Sequence, residues 1–187
     1  TEYGSPKPMT ATFTATGGAS ALLSNKPGKI RVVNGLVGTI VDYNQKDAFN
    51  MGAAMAGAAA DTLYKYLKET DTKASDYDLI LTGDLGKYGK EILKDLMLNE
   101  YNIDLSKNYN DCGTMLYDLE EQKEVMAGGS GPVCSALVNY STIIKGLIEN
   151  KYKKVLLIAT GALFSPIMLY QKENILSIAN LICLEAI

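Results

Sequence analysis

From residue 125 to residue 144 the chain carries no charged side chain. The stretch opens on Gly128-Gly129-Ser130-Gly131-Pro132, which predicts a helix over residues 131–149. Ser130 suits the N-cap and Pro132 the first turn. A helix that is apolar all round its first turns is normally a buried one. A two-layer α/β protein seldom contains such a helix. The pattern therefore predicts a helix held between two sheets.

The rest of the chain supplies sheet-forming segments around it. Residues 10–24 hold β-formers interrupted at Gly17-Gly18, and Asn25-Lys26-Pro27-Gly28 reads as a turn. Residues 30–42 read as a long strand in which Gly35 and Gly38 mark a bulge or a close backbone approach. The alanine-rich run in residues 51–69 predicts a helix able to pack closely on a neighbour. Residues 78–82 and 154–159 are short apolar runs, as in strands covered on both faces. A helix is expected over 87–99, a short strand near 113–117, an acidic solvated hairpin turn over 118–124, and a last strand or strand pair over 175–187. The alternation predicts an α/β fold with a mixed sheet.

Composition narrows the function classes. Hydrophobic residues make up 47% and charged residues 21% of the chain, with a net charge of −3 and no basic cluster. Those values fit a globular domain and argue against nucleic-acid or acidic-lipid binding. Arg31 is the only arginine, so anions must be met by lysine, backbone N–H groups or a metal. Histidine is absent, which removes the commonest general base and metal ligand. The three cysteines, Cys112, Cys134 and Cys183, are widely spaced, which argues against a disulfide framework or zinc site and fits a reducing compartment. All three read as buried, inert thiols. No signal peptide or initiator Met is expected. Residues 155–169 are too short and too interrupted to span a bilayer, which takes about 20 apolar residues. Any membrane role is then peripheral or through partners.

Six motifs occur in a fixed order: TEYGSPKP (1–8), FNMGAAMAGAAADT (49–62), YDLILTGDLG (77–86), NDCG (110–113), MAGGSGPVCSALVNYS (126–141) and ATGALFSP (159–166). Together they resemble the stage V sporulation protein AD family, over almost the whole chain. The resemblance implies the C-terminal half of a thiolase-like, five-layer αβαβα sandwich with a mixed five-stranded sheet and a buried central helix. Residues 1–27 would end the N-terminal half with its last strand, and residues 28–187 would form the C-terminal domain. It further implies a protein that binds dipicolinic acid, with calcium as a possible companion, and supports its import into the forespore. That role places it in the cytoplasm or forespore, peripheral at the spore inner membrane, beside membrane proteins of the same operon. The full-length protein would be a homodimer. Half a sandwich leaves one face of its central helix uncovered, so an exposed apolar patch is expected.

The resemblance also points to the chemistry. Condensing enzymes of the thiolase superfamily take a cysteine nucleophile from the N-terminal half, whose region is missing here. Their histidine position falls at Gly83-Asp84, and their asparagine position in residues 128–130. A carboxylate at Asp84 repels an enolate or oxyanion. Asp84 then reads either as a calcium or hydrogen-bonding ligand group or as a turn or N-cap aspartate before the helix. Gly129, Ser130 and Gly131 read either as an anion seat at a helix start or as tight packing. Thr160 and Gly161 read as a glycine-rich loop at a strand end or as a plain turn. Asp111, with Cys112 and Gly113, reads as a strand start near the cleft. No EF-hand loop is present for calcium. Three functions stay open: a non-enzymatic dipicolinate-binding protein, a condensing enzyme or acyltransferase with a variant site, and a docking module without a ligand.

Overall fold

A computed structural model describes residues 7–187, so most of the TEYGSPKP motif lies outside the described residues. A five-stranded sheet is built from β2 (Ile30–Leu36), β3 (Leu79–Thr82), β4 (Tyr109–Asp111), β6 (Lys154–Ala162) and β7 (Ser177–Ala186), and a separate pair from β1 (Phe13–Thr14) and β5 (Gly129–Ser130). The order across the large sheet is β2-β7-β6-β3-β4. Strands β6, β3 and β4 run parallel, while β7 runs antiparallel to both β6 and β2. The mixed α/β sheet expected from the alternation is therefore present.

Both faces of the central strands are apolar, and each packs on a different layer. Ile80, Leu156, Ile158 and Leu181 join Leu63, Leu93 and Met97 of α1 (Met51–Glu69) and α2 (Gly86–Tyr101) in one core. Leu79, Leu81, Val155 and Leu184 face the other way, toward Cys134, Val138, Ile143 and Leu147. The alanine run lets α1 lie directly on β7, where Thr62 donates to the Ala179 carbonyl at 2.8 Å and Ser177 donates to the Ala54 carbonyl at 2.7 Å. Helices α1 and α2 touch backbone to backbone at Gly52 and Gly89, and a Cβ on Gly89 would stand 2.7 Å from the Gly52 Cα. In β2 the bulge falls at Val33, between the paired Val32 and Asn34. Gly38 marks the close approach, because a Cβ there would run into the Ala179 carbonyl.

Several expectations are corrected. The predicted helix over 131–149 starts only at Cys134, as α4 (Cys134–Val138), a π-helical turn (Asn139–Ile143) and α5 (Ile144–Ile148). It is not enclosed between two sheets. The chain supplies one large sheet, so one face of this rod is buried while Tyr140, Ser141 and Thr142 are exposed. Before Lys145 its outward face is uncharged yet exposes the hydroxyls of Tyr140, Ser141 and Thr142, which a count of charges does not reveal. The strand expected near 113–117 is helix α3 (Cys112–Leu116), and the strand lies earlier, at β4. The Asp111 side chain accepts the Gly113 N–H at 2.9 Å, and this cap turns the chain into a helix. Residues 118–124 are a largely exposed turn, but they join α3 to β5 rather than closing a hairpin. Residues 177–186 form one strand.

The rod leaves part of its sheet face uncovered. A trough of about 640 Å³ remains there, with walls that include Val32, Leu157, Ile182 and Ile144, beneath a strap that carries Leu22 and Leu23. Leu22 is 95% and Leu23 81% exposed, so apolar surface is open on this strap, whereas the rod's own uncovered face, where an apolar patch was expected, exposes Tyr140, Ser141 and Thr142. Among the described residues no helix is long and apolar enough to cross a membrane. Short α6 (Pro166–Tyr170) closes the β6–β7 connection.

Candidate functional site

Strand β3 ends at Thr82, and Gly83-Asp84-Leu85 lead into α2. Parallel pairing sets Thr82 beside Ile158 of β6, so Thr160, two residues on, comes alongside the β3 end. Gly83 keeps the two chains close, since a Cβ there would lie 3.2 Å from the Thr160 hydroxyl. Asp84 uses both oxygens across this gap. Its Oδ1 accepts the Thr160 hydroxyl and its Oδ2 accepts the Gly131 N–H, each at 3.1 Å. Three motifs, around residues 83–86, 129–131 and 160, thus meet at one carboxylate. Burial pushes the Asp84 carboxyl up from its ordinary pKa, against the pull of the Gly131 and Thr160 hydrogen bonds.

The turn after Asp84 is fixed from several sides. Gly86 has φ +68°, and the Ala127 carbonyl, 2.7 Å from where its Cβ would sit, accepts the Lys87 N–H. Behind it stands Asp111, fully buried at the end of β4. Its Oδ2 accepts from the Thr82 hydroxyl at 2.7 Å and Leu85 N–H at 2.8 Å, and its Oδ1 from the Gly86 and Gly113 N–H groups at 2.9 Å. Asp111 was expected at a strand start beside a cleft. It is instead an interior hub at a strand end, tying β3, α2 and α3 together and positioning Asp84. Burial pushes its carboxyl up to about 6, against hydrogen bonds that favour the charged form.

Residues 129–131 depart from the expected anion seat. The Gly131 N–H already faces Asp84, and the Gly128 N–H donates to the Val125 carbonyl at 2.9 Å. Ser130 is not an N-cap. It lies in β5 and accepts the Thr12 hydroxyl at 2.8 Å, while Val133 precedes α4 without a side-chain cap. Gly129 serves packing, because a Cβ there would meet the Tyr117 ring at 3.0 Å and Leu116 at 3.1 Å. Thr160 and Gly161 do not form a loop. Strand β6 runs through them, with Gly161 opposite Ile178. Asp84 is not a helix cap either, since Leu85 holds the N-cap position of α2.

All three cysteines are buried and free. Burial raises the Cys112 thiol well above its usual range, with Asp111 adding to it, and raises Cys134 to about 12. Neither thiol forms a thiolate nucleophile near neutral pH. Among the described residues no group of three or more His, Cys, Asp or Glu side chains could hold a metal ion. Thr12, which holds Ser130, gave no signal in the sequence.

This mixed-sheet α/β chain, with its carboxylate-centred junction, belongs to the stage V sporulation protein AD family, whose model matches residues 1–185. Over 185 residues it is 47% identical to stage V sporulation protein AD of Bacillus subtilis (strain 168). The alignment takes in 99% of this chain and 54% of the relative, so the chain spans about half the relative's length.

Proposed function

We propose that this sporulation-family chain is one half of a thiolase-like sandwich and works without catalysis. In this reading it binds dipicolinic acid and supports its import into the forespore. The observation that carries the reading is Asp84: a carboxylate occupies the junction of the three site motifs in a chain without histidine. A group that is negative when ionised disfavours an enolate or thioester oxyanion, whereas it tolerates a cation-bearing ligand. The uncovered trough beside the rod supports the half-sandwich, as the place where the remaining half of a longer protein would pack. Residues 1–27 would then close that other half.

The ligand form that suits Asp84 is the calcium chelate. Among the described residues no group of three carboxylates could hold calcium, so in this reading dipicolinate would carry the metal. Asp84 would face the cation, with the hydroxyls of Ser130 and Thr160 beside it and Gly129, Gly131 and Gly161 shaping the backbone. Asp111 would hold Asp84 in place. The protein would act at the spore inner membrane, on the cytoplasmic or forespore side, with membrane proteins of its operon and as a homodimer when full-length.

Calorimetry of the full chain with dipicolinate, with and without calcium, tests this. Saturable chelate binding that falls at least tenfold in Asp84→Ala/Ser130→Ala is expected. Undiminished binding in that variant removes the Asp84 site, and no binding removes the ligand. Incubation with acyl-CoA followed by intact-mass measurement addresses catalysis, and an acyl adduct or released CoA would overturn the non-enzymatic reading.

A further inference from the structure

The first turn of α2 and the turn after α3 enclose a second pocket, of about 460 Å³. Lys87, Lys90, Lys123, Glu91, Glu120 and Thr114 line it. The charges there do not cancel. Three ammonium groups face the two carboxylates of Glu91 and Glu120, and Glu91 is also paired with Lys94 at 2.8 Å. Among the described residues no carboxylate lies within ion-pair distance of Lys87, Lys90 or Lys123.

Lys90 is the built part of the pocket. Its side chain is half-buried, and its Nζ donates to Asn110 Oδ1 at 2.7 Å, which aims the ammonium while leaving two of its three N–H donors. Asn110 is itself fixed, since the same oxygen accepts the Asp111 N–H at 2.9 Å. Burial lowers the Lys90 pKa, and the carboxylates of Glu91 and Asp111 act in the opposite direction. A half-buried cation without a paired anion is left electrostatically incomplete. Lys123 is anchored by donation to the Leu119 carbonyl at 3.2 Å. The Thr114 hydroxyl is committed to the Asp111 carbonyl at 2.9 Å and so forms wall rather than ligand contact.

We infer that this pocket receives a small free dianion, a dicarboxylate or a phosphate, between Lys90, Lys87 and Lys123. For dipicolinate the inference rests on the reading above and extends it: the calcium-free dianion, which ionised Asp84 repels, is received here. Lysines act as point charges without the guanidinium fork, so affinity should fall steeply with salt.

The test is calorimetry of the full chain at low ionic strength, titrated in separate arms with calcium-free dipicolinate and with inorganic phosphate. Lys90→Gln/Lys123→Gln is the variant. Glutamine at 90 keeps an amide donor toward Asn110, and an unchanged thermal midpoint verifies the fold. Removing two charge-assisted contacts should weaken dianion binding at least tenfold. Lys151→Gln, a remote exposed lysine, should change it less than twofold. Dipicolinate binding that persists in the double variant overturns this site and leaves the Proposed function standing. Lysine-dependent binding of phosphate alone upholds the site as a phosphate site and removes its dipicolinate role. Binding of neither anion to the unaltered chain overturns the inference.

Discussion

Alanine at Gly89 sets two rules of protein chemistry against each other. Within a helix, glycine to alanine is worth about 1 kcal/mol of stability, so α2 read alone gains from the change. The structure reverses the sign. A Cβ on Gly89 would lie 2.7 Å from the Gly52 Cα and 2.8 Å from its carbonyl carbon, where ordinary contact begins at 3.4 Å. Both are backbone atoms and no rotamer relieves them, so α1 and α2 must part by several tenths of an ångström or more at their crossing. Overpacking of this kind costs about 1–3 kcal/mol. With backbone against backbone the cost falls at the upper end, about 2–3 kcal/mol, and the propensity gain of about 1 kcal/mol leaves Gly89→Ala about 1–2 kcal/mol less stable. Gly161→Ala is the matched control, because its Cβ would meet only Ile178, at 3.9 Å. It should be neutral or slightly stabilising. Urea unfolding followed by circular dichroism reads both changes as midpoint shifts at constant m. A Gly89→Ala midpoint at or above that of the unaltered chain would refute the helix-contact argument.

Further outcomes concern the two carboxylates of the site, Asp111 and Asp84. With the Asp111 carboxyl raised by burial to about 6, its contribution is fully present below the unfolded pKa near 3.8 and lost as pH rises through 6. Stability from this group should therefore decline by roughly 3 kcal/mol between pH 4 and 7, and Asp111→Asn should flatten that slope in urea titrations across the range. A slope unchanged in Asp111→Asn would contradict the assignment. Asp84→Asn keeps an oxygen for the Gly131 N–H, whereas Asp84→Ala strands it. The alanine variant should be about 1–2 kcal/mol less stable than the asparagine variant by thermal unfolding, and equal stability would show that the Gly131 contact contributes little.

The strength of local signals explains how far the sequence could be read. The alanine run fixes α1 at Met51–Glu69, and the apolar runs fix β3 and β6, because propensity and burial on both faces agree there. The segment 113–117 misled because a short apolar run suits helix or strand equally, and the Asp111 cap that decides it depends on where β4 stops.

The motifs of the site were legible as motifs, and their order marked the family. Their meeting was not. Asp84 finds Gly131 at a sequence distance of 47 and Thr160 at 76; parallel pairing of β3 with β6 brings in Thr160, and the segment that follows β5 brings in Gly131. The same holds for Ser130, which local grammar makes a helix cap and β1 claims as a strand partner. What the chain settles by itself is its strongly patterned segments, such as α1, β3 and β6, since those depend on neighbours within a turn or two. Which polar group satisfies which is decided only on folding, because hydrogen bonds act at about 3 Å and the sequence does not record who comes that near.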